Sequence, residues 1–230
     1  MSWITQTLSS SIGKKVLMAL TGLFLILFLV VHLAGNLQLL VDDGGQSFNA
    51  YAYKMAHNPF IKVVSYGNFF FILLHAVIGI VLTIKNKAAR KVGYHVSTKD
   101  SESTWASKNM PLLGVIILVF IVVHLMGFWA KAKLGIGEIG FVIIDGVEMH
   151  DLYTVVKTAY ENILISGFYV ISMIALGFHL SHGFQSAFQS LGLNHKKYTP
   201  LFKTVGTLYS YIVCFGFAII PILMYLGISF

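Results

Sequence analysis

The sequence predicts an all-α integral membrane protein: one bundle of five transmembrane helices formed by a single domain, residues 1–230. Three observations predict this class. Hydrophobic residues make up 57% of the chain and charged residues only 11%, well below the roughly 25% of soluble domains. Five uncharged runs contain 26, 22, 22, 34 and 27 residues, and about 20 apolar residues suffice for a helix to cross a bilayer. The basic residues concentrate in alternate connections between these runs.

The predicted helices span about residues 13–41, 61–86, 109–131, 160–191 and 201–228. The first is predicted to be retained, because its apolar run is longer than that of a signal peptide and no small-residue cleavage site follows it. Pro111 suits the first turn of the third helix, and Gly192 is a stop signal for the fourth. Pro221 is predicted to kink the fifth helix.

The connections between the helices predict the orientation of the chain. With the N-terminus in the cytoplasm, 11 of the 16 basic residues lie on the inner side and seven of the nine acidic residues on the outer side. The C-terminus is then outside. Segment 46–58 has a helical apolar spacing that predicts a short amphipathic helix along the outer interface. The basic and polar loop 86–108 either docks a soluble partner or is a solvated connector, and the sequence leaves both interpretations open.

Cysteine usage and charge exclude several kinds of site. Cys214 is the single cysteine, which excludes an internal disulfide, a four-cysteine iron–sulfur site and a CxxCH haem attachment. Any metal must therefore be bound through histidine, and any haem must be bound non-covalently. The net charge of +7 does not predict nucleic-acid binding, because in a membrane protein the location of the basic residues governs topology.

Histidines within the predicted spans are the main functional signal. Four of the nine histidines, at positions 57, 95, 150 and 195, fall in connections, where a solvated side chain is the simplest interpretation. The other five lie within spans, where an imidazole is costly unless something binds it. These are His32 in the first span, His75 in the second, His124 in the third, and His179 and His182 in the fourth.

Depth along the helices sorts four of these histidines into two pairs. His32 and His124 lie towards the predicted outer side, and His75 and His179 towards the inner side. A membrane haem b needs two imidazoles from different helices at one level. The pattern therefore predicts two stacked, non-covalent, bis-histidine haems b, surrounded by the first four helices, with the fifth helix peripheral. His182 is either the alternative ligand or a partner of a haem propionate. Zinc is disfavoured, since each level offers two histidines and no matching carboxylate.

Glycine follows each of the four histidines by three or four residues. Such a glycine lies on the same helix face and leaves room for a flat macrocycle, although small-residue helix packing explains the pattern equally simply. The four glycines are Gly35, Gly79, Gly127 and Gly183.

Three local motifs carry a resemblance to a known family. They are the entry Ser10-Ser11-Ile12-Gly13-Lys14-Lys15, the motif His32-x-x-Gly35-Asn36-Leu37, and Phe178-His179-Leu180. Together with five helices, they make the chain similar, over nearly its whole length, to the dihaem cytochrome b subunits (b558 type) of bacterial succinate dehydrogenases and fumarate reductases.

The resemblance implies one haem ligand from each of the first four helices, with His32 and His124 at the outer haem and His75 and His179 at the inner one. It also implies a bacterial cytoplasmic membrane, a quinone, and flavoprotein and iron–sulfur subunits on the cytoplasmic face, with a possible dimer of the whole complex. Some dihaem fumarate reductases carry a glutamate two residues before the fourth ligand, where this chain has Gly177. This difference favours succinate oxidation.

A quinone site is expected near the outer haem, where polar residues follow His32. Helix-end solvation explains each of these residues singly, but together they supply hydrogen-bond partners and acids for proton transfer to a quinone. The predicted residues are Asn36, Gln38, Asp42 and Asp43. Electron flow towards the positive outer side would assist reduction of a low-potential quinone, so menaquinone is the expected species.

Three alternative functions remain. The first is a fumarate reductase anchor working in the reverse direction. The second is an unrelated dihaem quinol-oxidising cytochrome b, although such proteins often take two ligands from one helix. The third is a proton-coupled transporter that uses buried histidines, which the absence of acids within the five spans and of a clear repeat disfavours.

Overall fold

Five long apolar helices dominate the computed structural model, which describes residues 2–89 and 104–230 and is 81% helical. Each is long and apolar enough to cross a membrane, so the predicted five-span architecture is confirmed. The helices are α2 (Ser11–Asn36), α4 (Pro59–Ala89), α5 (Trp105–His124), α8 (Ile163–Ser190) and α9 (Thr199–Leu226). Segment 90–103, which includes His95 and most of the predicted docking loop, lies outside the described residues.

Side-chain caps explain where three of these helices begin. Ser10 accepts a hydrogen bond from the backbone N–H of Gly13 at 2.9 Å and starts α2. Thr104 accepts one from Ser107 at 3.2 Å and starts α5, and Asn162 accepts from the first turn of α8. Each cap satisfies an N–H group that has no partner within the helix.

Departures from regular α-helix occur at the ends of α2 and α5. Residues Leu37–Leu40 continue α2 as a 3₁₀ segment. Residues Leu125–Trp129 continue α5 as a π-helical turn, and α6 (Ala130–Leu134) completes that span. The sequence predicts one regular helix over 109–131, whereas the structure places a π turn directly after His124. Such turns are frequent at functional sites.

Smaller elements lie between the spans. They are α1 (Trp3–Ser9), α3 (Gln46–His57), α7 (Leu152–Tyr160) and a hairpin of β1 (Phe141–Ile144) with β2 (Val147–His150). Helix α3 confirms the predicted short helix at 46–58. The hairpin corrects the all-α expectation, and its cause is local: Asp145 (φ 52°) and Gly146 (φ 76°) form the two-residue turn that favours an Asp-Gly sequence.

The packed core of the bundle lies between α8 and α9. In the most apolar stretch of each of these two helices, a third of the residues are buried within the chain. The corresponding share is 11% in α2 and α4 and 6% in α5. Gly206 of α9 allows the close approach, because a Cβ there would lie 2.5 Å from the ring of Phe184. Helix α9 also bonds to α2 through the Tyr209 hydroxyl, which donates to the carbonyl of Ile26. The fifth helix is therefore packed against α8 and bonded to α2.

One end of the bundle is closed by α3, α7 and the hairpin, which we call the capped end. Asn49 of α3 is only 2% exposed and lies at its centre. Its amide donates to Asp151 Oδ1 at 2.9 Å, and its oxygen accepts from the backbone N–H of Tyr153, also at 2.9 Å. The opposite end, which carries α1 and the α8–α9 turn, is called the N-terminal end.

Candidate cofactor-binding site

A cavity of about 1880 Å³ runs between α2, α4, α5 and α8. Ordinary small-molecule pockets have volumes of roughly 300–1,000 Å³, so this cavity has room for more than one ligand. Its walls are mostly apolar, and histidines are among the polar groups that line it. The four paired histidines and His182 all line it.

The structure brings together the two histidine pairs that the sequence predicts. The rings of His32 on α2 and His124 on α5 have centroids 5.8 Å apart and an interplanar angle of 88°. The rings of His75 on α4 and His179 on α8 have centroids 6.2 Å apart and an angle of 64°. Four helices thus supply one imidazole each, and the structure selects His179, rather than His182, to face His75.

These separations suit one metal ion between the two rings of a pair. A metal–imidazole bond is about 2 Å long and a ring nitrogen lies about 1 Å from the ring centre, so two axial rings have centroids about 6 Å apart. The interplanar angle is free, because each ring turns about its own metal–nitrogen bond. Edge-to-face packing also gives separations of roughly 4.5–7 Å, but two unbound imidazoles in hydrocarbon would lose their hydrogen bonds to water.

Two helices independently give the distance between the pairs. On α2, His32 belongs to one pair and Gly22 touches the ring of His75 in the other. On α8, Tyr169 contacts His124, and His179 lies ten residues further along. Ten residues of α-helix rise about 15 Å, so the two levels are separated by about half of the roughly 30 Å hydrocarbon layer.

The His75 ring rests against α2 at two adjacent residues. Its Nδ1 lies 3.0 Å from Thr21 Oγ1, and a Cβ on Gly22 would lie 3.3 Å from its Cε1 atom. The Nδ1 of His179 is buried and has no hydrogen-bond partner among the described residues. The two members of this pair are thus held differently. Sequence reasoning missed Thr21 and Gly22, because nothing local connects them with a histidine 54 residues away.

Aromatic rings surround the other pair. Phe28 stacks on His32 with centroids 5.2 Å apart, and Phe217 of α9 lies 5.6 Å from the same ring. On the opposite side, the Tyr169 hydroxyl lies 3.4 Å from His124 Nδ1. The Asn36 amide donates to the backbone carbonyl of His32 at 2.7 Å and lies 3.4 Å from its Nδ1. The His32–His124 pair is thus surrounded by apolar rings, with one amide and one phenol nearby.

The four glycines that follow the histidines have different surroundings. A Cβ on Gly35 would lie 2.6 Å from the ring of Tyr51, so this glycine accommodates a side chain of α3. A Cβ on Gly79 would make an ordinary 3.5 Å contact with Met18. Gly127 and Gly183 face open space, and of these two only Gly183 lines the cavity. Gly183 therefore leaves open space within the cavity, as the macrocycle interpretation requires.

The four predicted quinone-site residues do not form one cluster. Asn36 lines the cavity, whereas Gln38, Asp42 and Asp43 are not among its lining residues. The Asp43 carboxylate accepts from the backbone N–H groups of Gly45 and Ser47, at 2.9 and 2.8 Å, and starts α3. Asp42 accepts from the Ser229 hydroxyl at 3.1 Å. Both acids thus have structural partners at the capped end.

The described histidines of the connections are not part of either pair. His57 Nδ1 bonds to the carbonyl of Tyr53 at 2.8 Å, and the His150 ring packs on Phe141 at 4.9 Å. His195 accepts from the backbone N–H of Lys197 within the α8–α9 turn. All three side chains are exposed, as expected of solvated histidines, and those of His57 and His150 also border the cavity.

The donor set of each pair fits haem better than zinc. Within the described residues, no group of three or more His, Cys, Asp and Glu side chains is placed to hold a metal ion. Zinc takes three or four protein ligands, whereas a haem iron needs only two axial ligands, because the porphyrin supplies the other four nitrogens. Two facing imidazoles beside an apolar cavity are therefore suited to a haem.

Comparison of the chain with protein-family models, with curated proteins and with solved structures finds no match. The functional interpretation therefore depends on the residues and the geometry described above.

Proposed function

We propose that this chain is the dihaem cytochrome b membrane-anchor subunit of a succinate:quinone oxidoreductase. The main support is the arrangement of the imidazole rings. Four spans supply one ring each, and the rings meet at two levels, with centroids 5.8 Å apart at one and 6.2 Å apart at the other. The motifs around His32 and His179 support the same family.

His32 and His124 would hold one haem b, and His75 and His179 the other. Each ring would bind through one nitrogen. The second nitrogen of His75 bonds to Thr21, whereas Nδ1 of His179 has no partner among the described residues. When bound, the haems would supply two one-electron carriers between an iron–sulfur partner and a quinone. The stacked rings of Phe28 and Phe120 would exclude water from the outer pair.

The N-terminal end of the bundle is assigned to the cytoplasm. Eight of the described basic residues lie there, at positions 14, 15, 85, 87, 108, 196, 197 and 203. The flavoprotein and iron–sulfur subunits would dock on this side, beside the His75–His179 pair, and succinate would be oxidised there. The membrane would be the bacterial cytoplasmic membrane.

The quinone, with menaquinone as the expected species, is assigned to the capped end. Asn36 lies one turn beyond His32 and lines the cavity, as does Tyr51 of α3. Asn36 is retained from the predicted site. The local bonds of Asp42 and Asp43 favour a structural role for these two acids.

Haem content tests the proposal most directly. A pyridine haemochrome assay on the purified chain, expressed with ample haem, is expected to give two haems b per chain. His32→Leu and His75→Leu are each expected to lower this number, whereas the control His195→Leu keeps it at two, because His195 lies in the α8–α9 turn and is not among the residues that line the cavity. A colourless wild-type protein, or two haems in both ligand variants, would overturn the proposal.

The partner subunits provide the second test. Purification through a tag on this chain, in mild detergent, is expected to recover a flavoprotein and an iron–sulfur protein with succinate:quinone reductase activity. A protein that contains haem but brings down neither subunit would indicate a different dihaem cytochrome.

A further inference from the structure

The two ligand pairs differ in how the outward nitrogen of each ring is held, and the shortest of these contacts is at His75. Its Nδ1 lies 3.0 Å from Thr21 Oγ1, against 3.4 Å for the contacts at His32 and His124. Thr21 is 3% exposed, so this contact is shielded from water. Thr21 belongs to α2 and His75 to α4, so the contact also joins two spans.

The hydroxyl of Thr21 has one hydrogen, and two carbonyl groups on its own helix direct it. Thr21 Oγ1 lies 2.8 Å from the carbonyl oxygen of Leu17 and 3.1 Å from that of Met18, and both atoms can only accept. The hydroxyl hydrogen therefore points to these carbonyls, and the hydroxyl oxygen is left to accept from His75. It follows that His75 Nδ1 carries the proton.

A ring protonated at Nδ1 has its free lone pair on Nε2. Only a nitrogen without a proton can bind a metal, so this tautomer presents Nε2 as the ligand atom. Gly22 allows the ring to lie against the helix in this position, because a larger side chain would press on its Cε1 atom. An accepted N–H bond also makes the imidazole a stronger electron donor.

We propose that Thr21 is a positioning residue for the inner haem: its hydroxyl fixes the Nδ1–H tautomer of His75 and lowers the reduction potential of the iron that His75 would bind. The potential part of this inference rests on the proposed function, and the tautomer part does not. Stronger donation stabilises ferric iron over ferrous iron, so the hydroxyl lowers the potential of that haem alone.

The test compares two substitutions at one position in the full chain. Thr21→Val keeps the shape and removes the hydroxyl, and Thr21→Ser keeps the hydroxyl. In a redox titration of the two b-type components, Thr21→Val is expected to shift one component to a more positive potential, and Thr21→Ser to leave both near their wild-type values. Tyr169→Phe, which alters the contact at His124, is expected to shift the other component.

Loss of one haem in Thr21→Val with two haems kept in Thr21→Ser would also support the proposal, since the ring would then be mispositioned. Two unshifted potentials in a fully loaded Thr21→Val protein would overturn it, as would equal shifts in the Val and Ser variants, or a shift of the same component by Thr21→Val and Tyr169→Phe.

The tautomer is measured separately from haem. Nitrogen-15 NMR of histidine-labelled apoprotein is expected to show His75 protonated at Nδ1 in the wild type and the Ser variant, with a mixture of tautomers in the Val variant. An Nε2–H ring in the wild type would overturn the proposal, even where the haem assay supports the cytochrome function. A wild-type chain without haem but with an Nδ1–H ring would overturn only the proposed function and the potential part of this inference.

Discussion

At the scale of single residues, the capped end depends on one buried amide. Asn49 uses both ends of its side chain, donating to Asp151 and accepting from Tyr153 at 2.9 Å each. Truncation would leave buried groups of α7 without partners, and such a loss costs about 1–3 kcal/mol. The two partners lie 102 and 104 residues away in sequence, so no local pattern could identify this residue.

Asn49→Ala is therefore expected to loosen the capped end. Hydrogen exchange of the backbone amides of α3 and α7 should become faster, because the bond that joins the two helices is lost. Gln46→Ala is the matched control, since Gln46 is an exposed residue of the same helix. Equal exchange in the Asn49 variant and the control would contradict the assigned role.

Asn36 allows the quinone assignment to be tested at one residue. Asn36→Leu is expected to lower quinone reduction while the haem content stays at two, because the polar group beside the outer pair is lost. Asn109→Leu makes the same chemical change near the N-terminal end, where the Asn109 amide donates to the carbonyl of Trp105 in its own helix. Unchanged quinone kinetics in the Asn36→Leu protein would remove Asn36 from the site.

At the scale of elements, the α8–α9 contact is set by a glycine. A Cβ on Gly206 would lie 2.5, 2.9 and 3.1 Å from the Cδ1, Cγ and Cβ atoms of Phe184, and the last of these atoms cannot move without the backbone. Gly167 of α8 faces open space instead. Substitution by alanine is therefore expected to affect stability differently at the two glycines.

Gly206→Ala is expected to destabilise the protein by about 1–3 kcal/mol, the usual penalty for overpacking a core. Gly167→Ala is expected to be neutral or slightly stabilising, because alanine favours helix. Unfolding in detergent, followed by circular dichroism, measures both. Similar stabilities for the two variants would show that α8 and α9 can separate at little cost.

The capped end also contains two acids whose charge is stabilised by the fold. Partial burial opposes ionisation of Asp43, but hydrogen bonds from Ser47, Gly45 and Gln46 hold its pKa below the usual range. Partial burial likewise opposes ionisation of Asp151, and bonds from Thr154 and Asn49 lower its pKa. Both carboxylates therefore favour the folded state only when they are ionised.

Lowering the pH is accordingly expected to destabilise the capped end before the rest of the bundle. The stabilisation is complete above the unfolded pKa of about 3.9 and is lost as pH falls through the lower folded values. Hydrogen exchange of α3 and α7 measured between pH 6 and 3 should show faster opening at the acidic end. Asp43→Asn combined with Asp151→Asn should remove this pH dependence, and a variant that retains it would assign it to other groups.

At the scale of the whole molecule, features that depend on residues close together in the sequence were predictable. Uncharged runs gave the five spans, and distance from the nearest charge placed His32 beside His124 and His75 beside His179. Both inferences need only the rise of a helix and the thickness of a bilayer.

Contacts between distant segments were not predictable from one sequence. Neither the hydroxyl of Thr21 nor the ring of Phe217 is marked by local spacing, because each acts on a histidine of another helix. The packing of the fifth helix against α8 is likewise unmarked, because it depends on the shapes of Gly206 and Phe184 and not on a chemical motif. The Asp145-Gly146 turn, by contrast, has a dipeptide that is typical of a two-residue hairpin, so this element is recognisable from sequence alone.

The two histidine levels share their supporting helices. Helix α2 carries His32 of one level and, about 15 Å away, the Thr21–Gly22 surface that holds His75 of the other. Helix α8 likewise carries both Tyr169 and His179. If each level binds a porphyrin as proposed, the first one bound would order α2 and α8 and lower the entropic penalty of ordering them at the other level, so loading would be cooperative. Under limiting porphyrin supply, native mass spectrometry would then find empty and doubly loaded chains, with few singly loaded ones between them.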